Sequence, residues 1–253
     1  MTPLPQVFLD RPVAHRGLHD ASQGRIENAR ASFDAAVAAG YGIELDVQIS
    51  RDGVPVVFHD YTLDRLTTLS GPVRDRSAEE LAGISLSGSD DTIETLQTVL
   101  ERIGPVAPVL VEIKDQSHLP GTDIAALDQV TGWGVKNAME SHGLQAAIMS
   151  FNPGYAAALS WLVAAIPRGL VGMVFDEPSL TAAENAALTD YAAFDTSGAS
   201  FVSHDRATLD TPSVTRLKAQ GVPIFTWTIR SAEEEATARK VADNITFEGY
   251  TPG

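Results

Sequence analysis

From Pro12 onward, short apolar runs with strand-like alternation take turns with longer stretches in which apolar residues recur every three or four positions. Runs opening at Pro12, Gly42, Val109, Ala146, Gly169, Phe201, Pro223 and Asn244 predict eight strands, the first seven each followed by a helical or loop-plus-helix segment. Helical periodicity covers residues 28–39, 92–103, 122–141, 153–166, 181–191, 212–220 and 231–242. The first of these opens on Asn28, a favoured N-cap, and stops at Gly40, a favoured C-terminal cap. No room remains for a full helix after the eighth strand, so a last helix should be truncated or missing. Strands alternating with helices build a parallel sheet with helical cover. A doubly wound open sheet shares the alternation, but eight near-regular units favour a closed α/β fold, the (β/α)8 TIM barrel. Between 62 and 91 the periodicity breaks into Gly, Ser, Asp and Arg around one helical turn at 77–82, which reads as a short insertion over the active face after the second-strand hairpin.

The length of 253 residues fits one barrel of roughly 250 residues, so residues 1–253 are expected to form one domain. With 44% hydrophobic and 20% charged residues the chain can bury a sizeable core. A net charge of -15 repels nucleic-acid phosphates and anionic lipid headgroups, so neither nucleic acid nor a stably bound membrane is an expected partner. The longest nearly apolar run, 155–166 with Trp161 inside it, is shorter than the ~20 residues that span a bilayer and reads as a buried helix. Residues 1–10 have neither a basic start nor an apolar stretch of secretory length, which predicts a cytoplasmic location. Without cysteine, any metal must rest on oxygen or imidazole.

Segment 42–60 reads GIELDVQISRDGVPVVFHD. Alternation puts Ile43, Leu45, Val47 and Ile49 on one face and Glu44, Asp46 and Gln48 on the other. If helices cover the apolar face, the two acids point into the barrel, ~7 Å apart along the strand, where a divalent cation would balance them. Asp52-Gly53 predicts a two-residue hairpin turn pairing Arg51 with Val54, a register that sets His59 opposite Asp46. At the third strand Val109, Val111 and Ile113 share one face, and Glu112 and Lys114 the other. Glu112 can therefore join Glu44 and Asp46 in an oxygen site suited to Mg²⁺ or Ca²⁺, and its ion pair with Lys114 can coexist with that role. The first strand ends in His15-Arg16-Gly17, bringing a second imidazole and a guanidinium to the same barrel face, with Gly17 permitting a sharp exit. Two histidines can serve as general acid and base across a phosphodiester, while Arg16 and Lys114 can neutralise its nonbridging oxygens. His19, His118, His142 and His204 lack a comparable partner set and read as loop or surface residues.

AHRG at 14–17, EN at 27–28, GIELDV at 42–47, DGVPVVFHD at 52–60, TLDR at 62–65 and VEIK at 111–114 together resemble the glycerophosphodiester phosphodiesterase family over nearly the whole chain. The resemblance implies a metal-dependent enzyme that hydrolyses glycerophosphodiesters, its small-molecule substrates, to sn-glycerol 3-phosphate and an alcohol. It implies His15 and His59 as the acid–base pair, Glu44, Asp46 and Glu112 as metal ligands, and Arg16 and Lys114 as phosphate contacts. Ser150-Phe151 and Thr226-Trp227-Thr228 resemble the fourth- and seventh-strand motifs whose aromatic side chains wall the substrate pocket. Two places depart from the family pattern. Ile26 and Ala29 flank Glu27-Asn28 where proline and threonine are usual, and the run from Thr246 through Phe247 and Glu248 replaces a closing Thr-Asp, one residue and Pro. Two rival readings are a phospholipase-type phosphodiesterase acting on lipids and a catalytically weak barrel that only binds metal or phosphate. The acidic charge argues against the first, and two histidines in a binding-only module against the second.

Overall fold

The computed structural model describes residues 2–116, 124–162 and 165–253. Its strands are β1 (Val13–Ala14), β2 (Gly42–Ile49), β3 (Pro55–Val57), β4 (Val109–Ile113), β5 (Ala146–Ser150), β6 (Arg168–Gly172), β7 (Phe201–Asp205), β8 (Ile224–Ile229) and β9 (Asn244–Phe247). All except β3 run parallel, and β1 pairs with both β2 and β9, so eight strands close into a barrel. Each predicted strand is present and begins within one residue of its expected start.

The helices are α1 (Val7–Asp10), α2 (Arg30–Ala39), α3 (Ala78–Ala82), α4 (Leu96–Ile103), α5 (Ile124–His142), α6 (Pro153–Leu162), α7 (Ala182–Thr189), α8 (Phe194–Ser197), α9 (Pro212–Ala219) and α10 (Ala232–Ala238). Two starts differ from expectation for identifiable reasons. Asn28 is not the N-cap of α2. That place falls to Ala29, while Asn28 is held at φ 55° and turns its amide inward toward Asp46. Helix α4 begins at Leu96, where the Thr95 hydroxyl accepts from the Thr98 N–H. Residues 92–94 are occupied instead in extended contacts, the Glu94 carbonyl accepting from the Val57 N–H. The short α1 and α8 have too few residues to produce a helical period, and neither was predicted. His118 and parts of the predicted helices over 122–141 and 153–166 lie outside the described residues, as does the Trp161 side chain.

The β2–β3 hairpin also corrects an expectation. Its pairs are Val47 with Val57, Gln48 with Val56 and Ile49 with Pro55, one residue off the predicted register. The Ser50 N–H donates to Val54 O across a three-residue loop, Arg51 to Gly53, whose last member is left-handed at φ 79°. This is a common alternative to the two-residue turn. Asp46 therefore faces Phe58, whose N–H it receives at 3.1 Å, and not His59.

The apolar faces pack as the alternation requires. Outside the strands, Ile43, Leu45 and Val47 of β2 and Val109, Val111 and Ile113 of β4 join Phe33 of α2 and Leu96, Val99 and Leu100 of α4 in one buried cluster. Inside the barrel, Val13, Leu110, Ala147, Met149, Val171, Phe201 and Phe225 surround Phe8 from α1. Asn244 of β9 ties α1 to the barrel by donating to Phe8 O at 2.7 Å and Arg11 O at 2.6 Å. Segment 62–91 has a core of its own, in which Leu63, Val73, Leu81, Ile84 and Leu86 pack on Val56 and Phe58. Among the described residues no helix is long and apolar enough to cross a membrane.

Candidate active site

The parallel register of β2 and β4 sets Asp46 beside Glu112, and Glu44 lies two residues before Asp46 on the same inward face. All three carboxylates are buried, and each offers an oxygen within 4.8 Å of the others. Such crowding raises the Glu44 carboxyl well above its usual range, first by burial and then by the charges of Asp46 and Glu112. Burial pushes Asp46 the same way, but Lys114, His59 and Arg16, with a hydrogen bond from Asn28, outweigh it and hold that carboxyl far below its ordinary value.

Two cations answer three acids. Lys114 Nζ stands 2.9 Å from Glu112 and 3.5 Å from Asp46, and these charges raise its pKa against the opposing effect of burial. Arg16 donates through its backbone N–H to Glu44 at 2.9 Å and through Nη1 to Glu27 at 2.7 Å. Its Nε lies 3.4 Å from Asp46 and is buried without a hydrogen bond. Gly17, at φ 78°, turns the chain sharply out of this corner; a Cβ there would come within 2.5 Å of the Ser32 hydroxyl. The raised Glu44 carboxyl and an all-oxygen donor set fit a hard divalent cation, so the buried acidic triad could bind a metal.

His15 and His59 line the same cavity of about 270 Å³ as Glu44, Asp46, Glu112, Arg16 and Lys114. His59 arrives there without the predicted strand pairing, because β3 ends at Val57 and the chain turns inward after Phe58. Each imidazole gives its Nδ1–H to a carboxylate. For His59 the acceptor is Asp60 at 2.7 Å, for His15 it is Glu248 at 2.6 Å. Behind His59 runs a charge ladder: Asp60 takes two hydrogen bonds from Arg65, Arg65 gives two more to Glu27, and Glu27 receives Arg16. The Arg65 bonds, helped by His59 against some burial, bring the Asp60 carboxyl down to about 2. His15 titrates below its ordinary value because burial outweighs the Glu248 hydrogen bond.

Phe151, just after β5, and Trp227 of β8 form one wall, their rings edge to face at 5.6 Å, and the Trp227 indole donates to Ser203 O. Ser203 and Thr246 also line the cavity, each with a buried hydroxyl that has no partner in the protein. The three acids, two histidines, two cations and two aromatics expected at the site thus all line one cavity.

Several neighbours were missed or misread. Glu248, Arg230, Asp60 and Arg65 were assigned no role, and Asn28 was read as a cap. Glu248 carries a readable signal, since Asn244, Thr246 and Glu248 alternate with Ile245 and Phe247. His204 was expected to be a loop or surface residue but is fully buried on β7, its Nδ1 accepting from Tyr191 at 2.6 Å. His19 is a loop residue, yet it stands 3.5 Å from Glu248. His142 is exposed at the end of α5.

Residues 15–243 match the profile of the glycerophosphoryl diester phosphodiesterase family. The YhdW protein of Bacillus subtilis strain 168 is 27% identical over 231 residues, 88% of each chain. A glycerophosphodiester phosphodiesterase of Bacillus altitudinis is 29% identical over 178 residues, 66% of this chain and 69% of that one. Among solved structures, an Oleispira antarctica phosphodiesterase in complex with the product sn-glycerol-3-phosphate superposes with a TM-score of 0.75 at 22% identity, over 96% of this chain and 94% of the other. The glycerophosphodiester phosphodiesterase of Thermotoga maritima gives 0.68 at 23% identity, over 94% of each. The structural likenesses establish the barrel and the profile match establishes the kinship: this chain is an enzyme of the glycerophosphodiester phosphodiesterase family.

Proposed function

We propose that this protein hydrolyses glycerophosphodiesters to sn-glycerol 3-phosphate and an alcohol, as one barrel domain over residues 1–253 with segment 62–91 inserted over the active face and no full last helix. The observation that carries the reading is the meeting of three carboxylates, two cations and two imidazoles in one cavity. Glu44, Asp46 and Glu112 would hold Mg²⁺ or Ca²⁺, and that cation would supply the charge that polarises the phosphate. Arg16 and Lys114 face the nonbridging oxygens and stabilise charge that builds on them. Of His15 and His59, one accepts a proton from the attacking oxygen and the other gives a proton to the departing alcohol.

Phe151 and Trp227 wall the cavity and keep bulk water from the reacting phosphate. The unpartnered hydroxyls of Ser203 and Thr246 suit the glycerol half, which carries hydroxyls able to satisfy them. The alcohol half faces no comparable clamp among the residues singled out. Glycerophosphocholine and glycerophosphoethanolamine should therefore both yield glycerol 3-phosphate, while a dialkyl phosphate without glycerol is cut poorly because it forfeits the contacts that orient phosphate. Product analysis across these three compounds is the test. Equal rates on the glycerol-free diester, or release of phosphocholine in place of choline, would overturn the substrate assignment.

A further inference from the structure

Where the chain departs from the family's closing pattern, it places a side chain that acts on the cavity. Glu248 follows β9 directly and continues the inward alternation of Asn244 and Thr246. Its backbone N–H is fixed by Ile229 O at 3.0 Å, which sets the carboxylate at the rim. One oxygen, Oε2, accepts from His15 Nδ1 at 2.6 Å and lies 3.5 Å from His19 Nε2. The other, Oε1, takes Arg230 Nε and Nη2, both at 2.9 Å. Arg230 also lines the cavity.

We infer that Glu248 is the positioning residue of His15: it fixes the ring with the proton on Nδ1, leaves Nε2 as the atom that exchanges a proton with substrate, and is itself anchored by Arg230. A carboxylate can only accept here, so the proton between the two groups belongs to the imidazole. The hydrogen bond from His15, with His19 at 3.5 Å and the Arg230 charge, holds Glu248 far below the usual carboxylate range, so it stays ionised while His15 gains or loses its Nε2 proton. His59 has the parallel arrangement on Asp60 and Arg65. Each imidazole is thus oriented by a carboxylate that an arginine holds in turn, the logic by which an acid behind a histidine selects tautomer and direction without taking the proton.

This inference rests on His15 being one of the two proton carriers, and its test is separable from that reading. Long-range ¹H–¹⁵N spectra of the histidine rings, with His15 assigned by His15→Asn, need no activity. At a pH where His15 is neutral, the wild type should show a single Nδ1–H tautomer, and Glu248→Ala should turn it into a mixture. In the assay, Glu248→Ala should lower kcat about 10²-fold with KM within about twofold, the pattern of a lost proton-transfer geometry. Added formate should restore part of that loss in a saturable way, because it can refill the carboxylate site beside Arg230. Glu248→Gln keeps an acceptor oxygen and the shape, so it should retain more activity than Glu248→Ala and guards against loss through misfolding. A His15 tautomer unchanged by the substitution overturns the assignment, as does a wild-type kcat in Glu248→Ala. A loss of kcat that formate leaves untouched overturns it too, marking Glu248 as a purely structural residue.

Discussion

At the scale of single residues, the cavity works through opposed charges, and the consequences of removing one are directional. Glu44→Gln, Asp46→Asn and Glu112→Gln should each weaken Mg²⁺ or Ca²⁺ binding while leaving the barrel folded, a pattern that calorimetric titration with circular dichroism would check. Asn28→Ala removes the amide that donates to Asp46 and also receives the Asp46 N–H at 3.2 Å. Loss of such an outer partner should reduce metal affinity by about 10- to 100-fold, and an unchanged affinity would return Asn28 to a merely structural role. His15→Ala and His59→Ala should each lower turnover by about 10²-fold or more, with metal affinity changing far less. Near-normal turnover in both variants would remove the proton-transfer roles.

At the scale of elements, strand alternation carried most of what could be read in advance. The inward face of β2 follows from Glu44, Asp46 and Gln48 interrupting Ile43, Leu45 and Val47, and the same two-residue period in β4 brings in Glu112 and Lys114. What stayed hidden depends on contacts between distant elements. The Asp52-Gly53 turn predicted a register that fails by one residue, because loop length and not turn composition decides it. Asn28 is equally suited to capping a helix or hydrogen-bonding a strand, and only the position of Asp46 decides between them. Behind His59, the Arg65–Asp60 bonds make a testable pH contribution. The Asp60 carboxyl titrates at about 2 in the fold against ~3.9 in an unfolded chain. Its stabilising effect is therefore present above pH ~4 and lost as the pH falls toward 2. Thermal midpoints of wild type and Asp60→Asn should differ most near neutral pH and converge in that acid window. A constant gap throughout would exclude the linkage.

At the scale of the whole molecule, the end of the barrel opposite the acid cluster is filled by Phe8, which packs fully buried against Phe201, Phe225 and their neighbours. Phe8→Ala should cost about 3–5 kcal/mol, measured by reversible denaturant unfolding, with the cavity chemistry retained at low temperature. Chelator should abolish turnover, and added Mg²⁺ or Ca²⁺ should restore it and raise the thermal midpoint, since a ligand that binds only the folded chain stabilises it by mass action. The same closure fixes an order of events during synthesis. Asn244 secures α1 across 236 positions of chain, and Glu248 reaches His15 across 233. β1 and α1 precede β9 in the chain and lack one of their neighbours until β9 is in place. Barrel closure therefore waits for β9, and a fragment ending at residue 243 should be protease-sensitive at its beginning as well as at its end.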